Sequence, residues 1–171
     1  YKIKFIEDAA QRHIFSKTLI NSKFCISSVL SFDPFKIFSG IGTGGAVITK
    51  KASVAKKINN LHYHGNKCDI QGYNSQMSES SAWLINKKID NFNNWQKRRR
   101  YVAKEYNNVF SKFDKKLRTL ANSSNLDKHS LHKYVVVFNS KVDRDYIEKK
   151  LISDGVKTMV HYRYILPELP L

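Results

Sequence analysis

Between Ala82 and Phe113 the apolar residues recur at steps of three and four: Ala82, Ile85, Ile89, Phe92, Trp95, Val102, Tyr106, Val109 and Phe113. That period predicts one apolar stripe on a long helix, with room for a single break at "DNFNN", 90–94. Ser78 is suited to the N-cap, and Glu79 to the positive end of the first turn. The helix divides the chain into a portion ahead of it and a portion behind it.

Ahead of it, "IKFI", 3–6, is a short apolar run that ends at the acid pair Glu7 and Asp8, which suits a strand stopping at carboxylates. "KFCISSVLSF", 23–32, has strand character with Cys25, Ser27 and Val29 on one face. "GGAVIT", 44–49, is a β-branched strand after glycines, 52–61 is helical and 62–75 is loop. Behind it, 121–130 is a polar connector. "KYVVVFN" then predicts a strand, "DRDYIEKKLISDG" a helix with a glycine stop, and "VKTMVHY" a second strand, making a β-α-β unit with its own small core.

Composition narrows the function classes. With 42% hydrophobic residues the chain can bury a core, which excludes compositional disorder. No apolar run approaches the roughly 20 residues of a membrane span, and no leader is visible, so the expectation is a cytoplasmic protein without a membrane partner. Cys25 and Cys68 form no C-x-x-C pair, which suits a reducing compartment. The net charge of +16 is compatible with a polyanion such as nucleic acid. The lysines, however, are spread along the whole chain. The run Lys97-Arg98-Arg99-Arg100 crosses the polar side of the long helix, where it reads as a solvated face without a stacking platform.

Gly40-x-Gly42-x-x-Gly45 matches the dinucleotide-binding string, but its last glycine leads into "AVIT", a strand, where that fingerprint needs a helix N-terminus. No Gly-Lys-Ser/Thr follows, so a phosphate loop is excluded too. His62, His64 and Cys68 have only Asp69 nearby to complete a metal set, and the segment reads as a polar loop with no metal. Lys36 stands among Phe35, Ile37 and Phe38. Alone it reads as a snorkelling lysine, and Asp8 alone as a turn or cap residue. Together they suit a carbonyl cofactor: a lysine in apolar surroundings can form a Schiff base with an aldehyde. An aspartate can keep a pyridine nitrogen protonated so that the ring accepts electrons.

Read in order, "IEDAAQ", "SFDPFKIFSGIGTGGAVIT", "HYHG", "GYNSQMSESSAWLINKKID" and "RDYIEKKLISDGVKTMVHY" resemble the DegT/StrS family of nucleotide-sugar aminotransferases, which depend on pyridoxal 5'-phosphate (PLP). The resemblance covers almost the whole chain and matches the middle of the family sequence. It implies an α/β fold, namely a partial type I PLP-dependent aminotransferase fold. Residues 1–90 would be the C-terminal part of the PLP-binding large domain, and 91–171 the connecting helix and the start of the small domain. It implies that Lys36 is the catalytic lysine that carries the cofactor and, once freed, moves a proton as general acid and base. It implies that Asp8 pairs with the pyridine nitrogen, Gln11 lies near the ring hydroxyl, Ser31 bonds the cofactor phosphate, and Asn74 reaches the phosphate of a neighbouring subunit. The implied reaction moves an amino group, from glutamate, to a nucleotide-linked keto sugar for surface polysaccharide synthesis, in a homodimer. Two other classes stay open: a non-catalytic remnant or half-chain needing a companion, and a basic nucleic-acid-binding protein.

Overall fold

The computed structural model describes residues 2–12, 19–65, 71–122 and 124–169. Its first half is built on a three-stranded sheet in the order β1-β2-β3, with β1 Phe5–Asp8, β2 Cys25–Ser31 and β3 Gly45–Ile48. β1 runs parallel to β2, with Asp8 opposite Val29 and a bulge between Phe5 and Ile6. β3 runs antiparallel to β2, with Ser31 opposite Gly45. The first strand therefore starts later than the apolar run suggests and takes in the acid pair. Cys25 and Ser27 are buried on the expected face of β2, but Val29 is 37% exposed and faces the 41% exposed Val47 across β3.

Two helices follow, α1 Ala52–His62 and α2 Glu79–Phe110. The Ser78 hydroxyl accepts from the Ser81 amide at the start of α2, as the cap requires. α2 runs its full 32 residues without the break allowed at 90–94. Its buried positions are Ser81, Ile85, Phe92, Gln96 and Ala103. These are steps of four and seven, the straight line of a helix with 3.6 residues per turn. The expected stripe drifts off this line at Trp95 and Tyr106, which are 42% and 47% exposed.

One helix thus serves two cores. In the first, Ile85 and Phe92 pack with Ala9, Leu30, Phe32, Ile37 and Phe38. Phe38 meets Phe92 edge to face at 5.1 Å, an arrangement worth about 0.5–1.5 kcal/mol beyond burial. In the second, Ala103 packs with Ala121 and Leu131, supported by Leu126 and Tyr134. Here a two-stranded antiparallel sheet pairs β4 Leu117–Thr119 with β5 Val136–Phe138, and α3 Lys141–Ser153 follows, capped by Ser140.

The expected β-α-β unit is corrected in two places. β4, unread in the sequence, takes the position beside β5. The segment "VKTMVHY", 156–162, forms no strand; after the turn at Gly155 the Val156 amide returns to the Leu151 carbonyl, and Met159 and Tyr162 are exposed. Among the described residues no helix is long and apolar enough to cross a membrane.

Candidate functional site

The sheet brings the predicted residues of the first half to one end. Asp8 closes β1 and Ser31 closes β2. Because Asp8 pairs with Val29, Ser31 lies two strand positions further on, about 7 Å at roughly 3.3 Å per residue. Both sit at the carboxyl end of neighbouring parallel strands, the end where ligands bind in open α/β sheets. Asp8 is exposed, and one carboxylate oxygen accepts from the Ala10 amide at 3.0 Å. Gln11 lies in the turn that follows, closed by the Arg12 amide on the Ala9 carbonyl, and is exposed. The Ser31 hydroxyl is half-buried and accepts from the Asp33 amide at 3.3 Å.

Lys36 follows a bend at Pro34. The Asp33 carboxylate accepts from the Phe35 amide and the Asp33 carbonyl from the Lys36 amide, both at 2.9 Å. This turn throws Phe35 outward, 89% exposed, while Ile37 and Phe38 are buried. The expected apolar company of Lys36 is therefore one-sided: the lysine is half-buried between a solvent-facing ring and the core.

The glycines explain how this loop is held. Phe32 closes it, donating to the Gly44 carbonyl at 2.8 Å and accepting from the Gly40 amide at 2.7 Å. A Cβ on Gly40 would meet the Ser81 hydroxyl of α2, and one on Gly45 would lie 2.7 Å from the Leu30 carbonyl. Only glycine permits both approaches. Ser81 then accepts from the Ile41 amide at 3.0 Å, and Lys88 donates to the Ser39 carbonyl at 2.6 Å. The loop bearing Lys36 is clamped to α2 at two points. The glycines lead into β3, so the string is no nucleotide fingerprint.

Asn74 reaches the glycines that pair with the end of β2. It bridges to Tyr63 and lines a cavity of about 580 Å³ with Thr43, Gly44, Gly45, His62 and Ser75. Asp8, Gln11, Ser31 and Lys36 do not line that cavity among the described residues. His62 bonds back to the Asn59 carbonyl at 2.9 Å, as a residue ending α1 does. Cys68 and Asp69 lie outside the described residues, among which no metal-holding cluster occurs.

Two residues escaped the sequence reading. Glu7 points to the opposite face of β1 from Asp8 and is buried. Its carboxylate accepts from Ser28 of β2, from the Leu19 amide at 2.9 Å and from Arg12 at 2.7 Å. It ties β1, β2 and the Gln11 turn together; strand alternation at an acid pair was the available signal. The other is His132. Its pKa is lowered, first by burial and then by the charges of Lys133, Lys36, Arg99 and His161. No spacing in the sequence connects it with Lys36.

The basic run is also more than a solvated face. Arg99 donates to the Leu131 carbonyl at 3.0 Å, Arg100 reaches toward the Asp127 carbonyl, and Arg98 lies over the Tyr101 ring.

The donor set at the sheet end fits PLP in kind: an amine for an aldehyde, a carboxylate for a pyridinium nitrogen, an amide and a hydroxyl for ring oxygen and phosphate. A family model described as the DegT/DnrJ/EryC1/StrS aminotransferase family matches residues 1–171. The chain is 30% identical to the 3-oxo-glucose-6-phosphate:glutamate aminotransferase of Bacillus subtilis, over 95% of this chain and 37% of that protein. It is 27% identical to the erythromycin biosynthesis sensory transduction protein EryC1 of Saccharopolyspora erythraea, over 94% of this chain and 44% of that one. A solved structure of ntda from Bacillus subtilis with bound cofactor pmp superposes with a TM-score of 0.81 at 29% identity, covering 96% of this chain and 38% of that one. The fold is thus a partial type I PLP-dependent aminotransferase fold. The chain spans less than half the length of these relatives.

Proposed function

We propose that this chain, which belongs to the DegT/DnrJ/EryC1/StrS aminotransferase family, is the cofactor-bearing part of an enzyme that moves an amino group from glutamate to a nucleotide-linked keto sugar. The family's members use PLP. Among similar proteins, one from Micromonospora megalomicea is named a dTDP-3-amino-3,4,6-trideoxy-alpha-D-glucose transaminase, and it is 28% identical over 61% of this chain. The observation that carries the reading is the meeting of Asp8 and Ser31 at the carboxyl end of β1 and β2, with the Lys36 turn beginning two residues later.

Bound PLP supplies an aldehyde that links to amines and a protonated ring that withdraws electrons. Asp8 would hold a proton at the ring nitrogen. Lys36 would hold the cofactor through its amine, and its Nζ, when free, would move a proton at the substrate carbon as base and then acid. The Ser31 hydroxyl would bind phosphate and the Gln11 amide would orient the ring hydroxyl. Asn74 serves the phosphate of a second subunit in a homodimer. Residues 1–90 belong to the large domain and 91–171 to the connecting helix and small domain; the two core clusters along α2 support two units, the first reaching Phe92 and the second starting at Ala103. The product feeds surface polysaccharide synthesis in the cytoplasm.

The test is amino transfer by the full-length protein. With PLP, glutamate and dTDP- or UDP-linked keto sugars, mass spectrometry is expected to find the amino sugar, and Asp8→Asn to slow its formation by at least tenfold while Lys36→Ala abolishes it. Equal rates for wild type and Lys36→Ala would overturn the assignment.

A further inference from the structure

α2 and the segment 131–134 enclose a cleft of about 210 Å³, away from the Asn74 cavity. One wall is Val102, Tyr106 and Tyr134, the two rings 5.0 Å apart. Ala103 and Leu131 complete its apolar lining, and the remaining lining residues are basic: Arg98, Arg99 and His132. Lys133 lies against His161, and the charges of both, with those of Lys36 and Arg99, act on His132. Every charge that acts on His132 in this way is basic. The charged side chains lining the cleft, Arg98 and Arg99, are both positive, and a cleft lined by one sign of charge concentrates the opposite ion. Arginine is the side chain best matched to phosphate oxygens, through paired donors in a fixed fork.

We propose that this cleft binds the diphosphate of the nucleotide-linked substrate, with Arg98 and His132 as its ligands and the Tyr106–Tyr134 wall against the base. Arg99 positions the cleft, because it holds the Leu131 carbonyl at 3.0 Å. The cleft is too small for a whole nucleotide sugar, so the sugar extends out of it. The proposal rests on the aminotransferase reading for the nature of the ligand, and on the cleft for its place.

The test is calorimetric titration of the full-length, PLP-loaded protein with UDP and dTDP. Arg98→Gln, an exposed position that folding tolerates, is expected to weaken binding about tenfold or more, and Arg98→Lys to recover part of the loss. UDP is also expected to raise the titration midpoint of His132 in NMR, because a bound dianion favours the imidazolium. Unchanged UDP affinity in both Arg98→Gln and His132→Gln overturns the proposal. So does inorganic phosphate binding as tightly as UDP, which marks an unspecific anion site, or free PLP displacing UDP, which marks a cofactor phosphate site. Borohydride labelling of Lys36 by PLP is read separately: if it fails while UDP binding still depends on Arg98, the aminotransferase reading falls and the nucleotide cleft stands.

Discussion

Replacing Gly40 by alanine isolates the contact that clamps the Lys36 loop to α2. The new Cβ would overlap the Ser81 hydroxyl, and would also lie 3.2 Å from Ile85 Cδ1 and 3.4 Å from the Phe32 carbonyl. Ser81 is 1% exposed, so its hydroxyl cannot swing into solvent. Overpacking of this kind costs about 1–3 kcal/mol. If the hydroxyl is pushed aside, the Ile41 amide loses its acceptor, for about 1 kcal/mol more. Alanine also stiffens the unfolded chain, which returns about 0.4–1 kcal/mol. The net expectation is a loss of about 2 kcal/mol. Ser81→Ala removes the overlapped atom, so in that background Gly40→Ala should cost less than about 1 kcal/mol. The resulting coupling, about 1–2 kcal/mol in a double-mutant cycle, can be read from urea unfolding followed by circular dichroism. Additive effects of the two substitutions, within about 0.5 kcal/mol, would refute the clamp.

Glu7→Gln should destabilise by about 2–3 kcal/mol, since it breaks the pair with Arg12 inside a buried network, whereas Asp8→Asn on the exposed side should change unfolding by less than about 0.5 kcal/mol; equal effects would show that the two carboxylates are not divided by face. Gln96 is buried with neither amide atom bonded among the described residues, so Gln96→Met should stabilise by about 1 kcal/mol in thermal unfolding, and a loss would reveal a partner for that amide. His132 has a folded pKa below that of the unfolded chain, so the unfolded state binds more protons and stability falls as pH drops through about 6.5. His132→Gln should flatten that part of the stability profile between about pH 7.5 and 5.5, and an unchanged profile would contradict the lowered pKa.

How much of this was legible depended on whether a signal was local. Ser78 and Glu79 mark the start of α2 because capping is a contact between near neighbours. The glycines at 40 and 45 were read correctly as preceding a strand, but their purpose, a close approach to Ser81 and to β2, needs a partner far along the chain. The apolar stripe found α2 yet put Trp95 and Tyr106 in its core, where Gln96 and Ala103 are, because hydrophobicity alone does not say which turn of a long helix meets a neighbour. β4 is three residues, too short for its alternation to register, and the strand expected at 156–162 does not form. Asp8 and Lys36 stand out by residue type and Ser31 only through the family resemblance, and the strand register accounts for Asp8 and Ser31 lying at one end of the sheet. His132 was invisible because its burial, the first cause of its lowered pKa, depends on packing between α2 and the segment 131–134, which no local pattern announces.

Everything proposed for the site depends on Lys36 carrying the cofactor. The direct measurement is to add PLP to the purified protein, reduce with borohydride, and map the phosphopyridoxyl group by peptide mass spectrometry. A single predominant label on Lys36, diminished in Asp8→Asn, is expected. Label spread over the surface lysines of this +16 chain, or none at all, would contradict it.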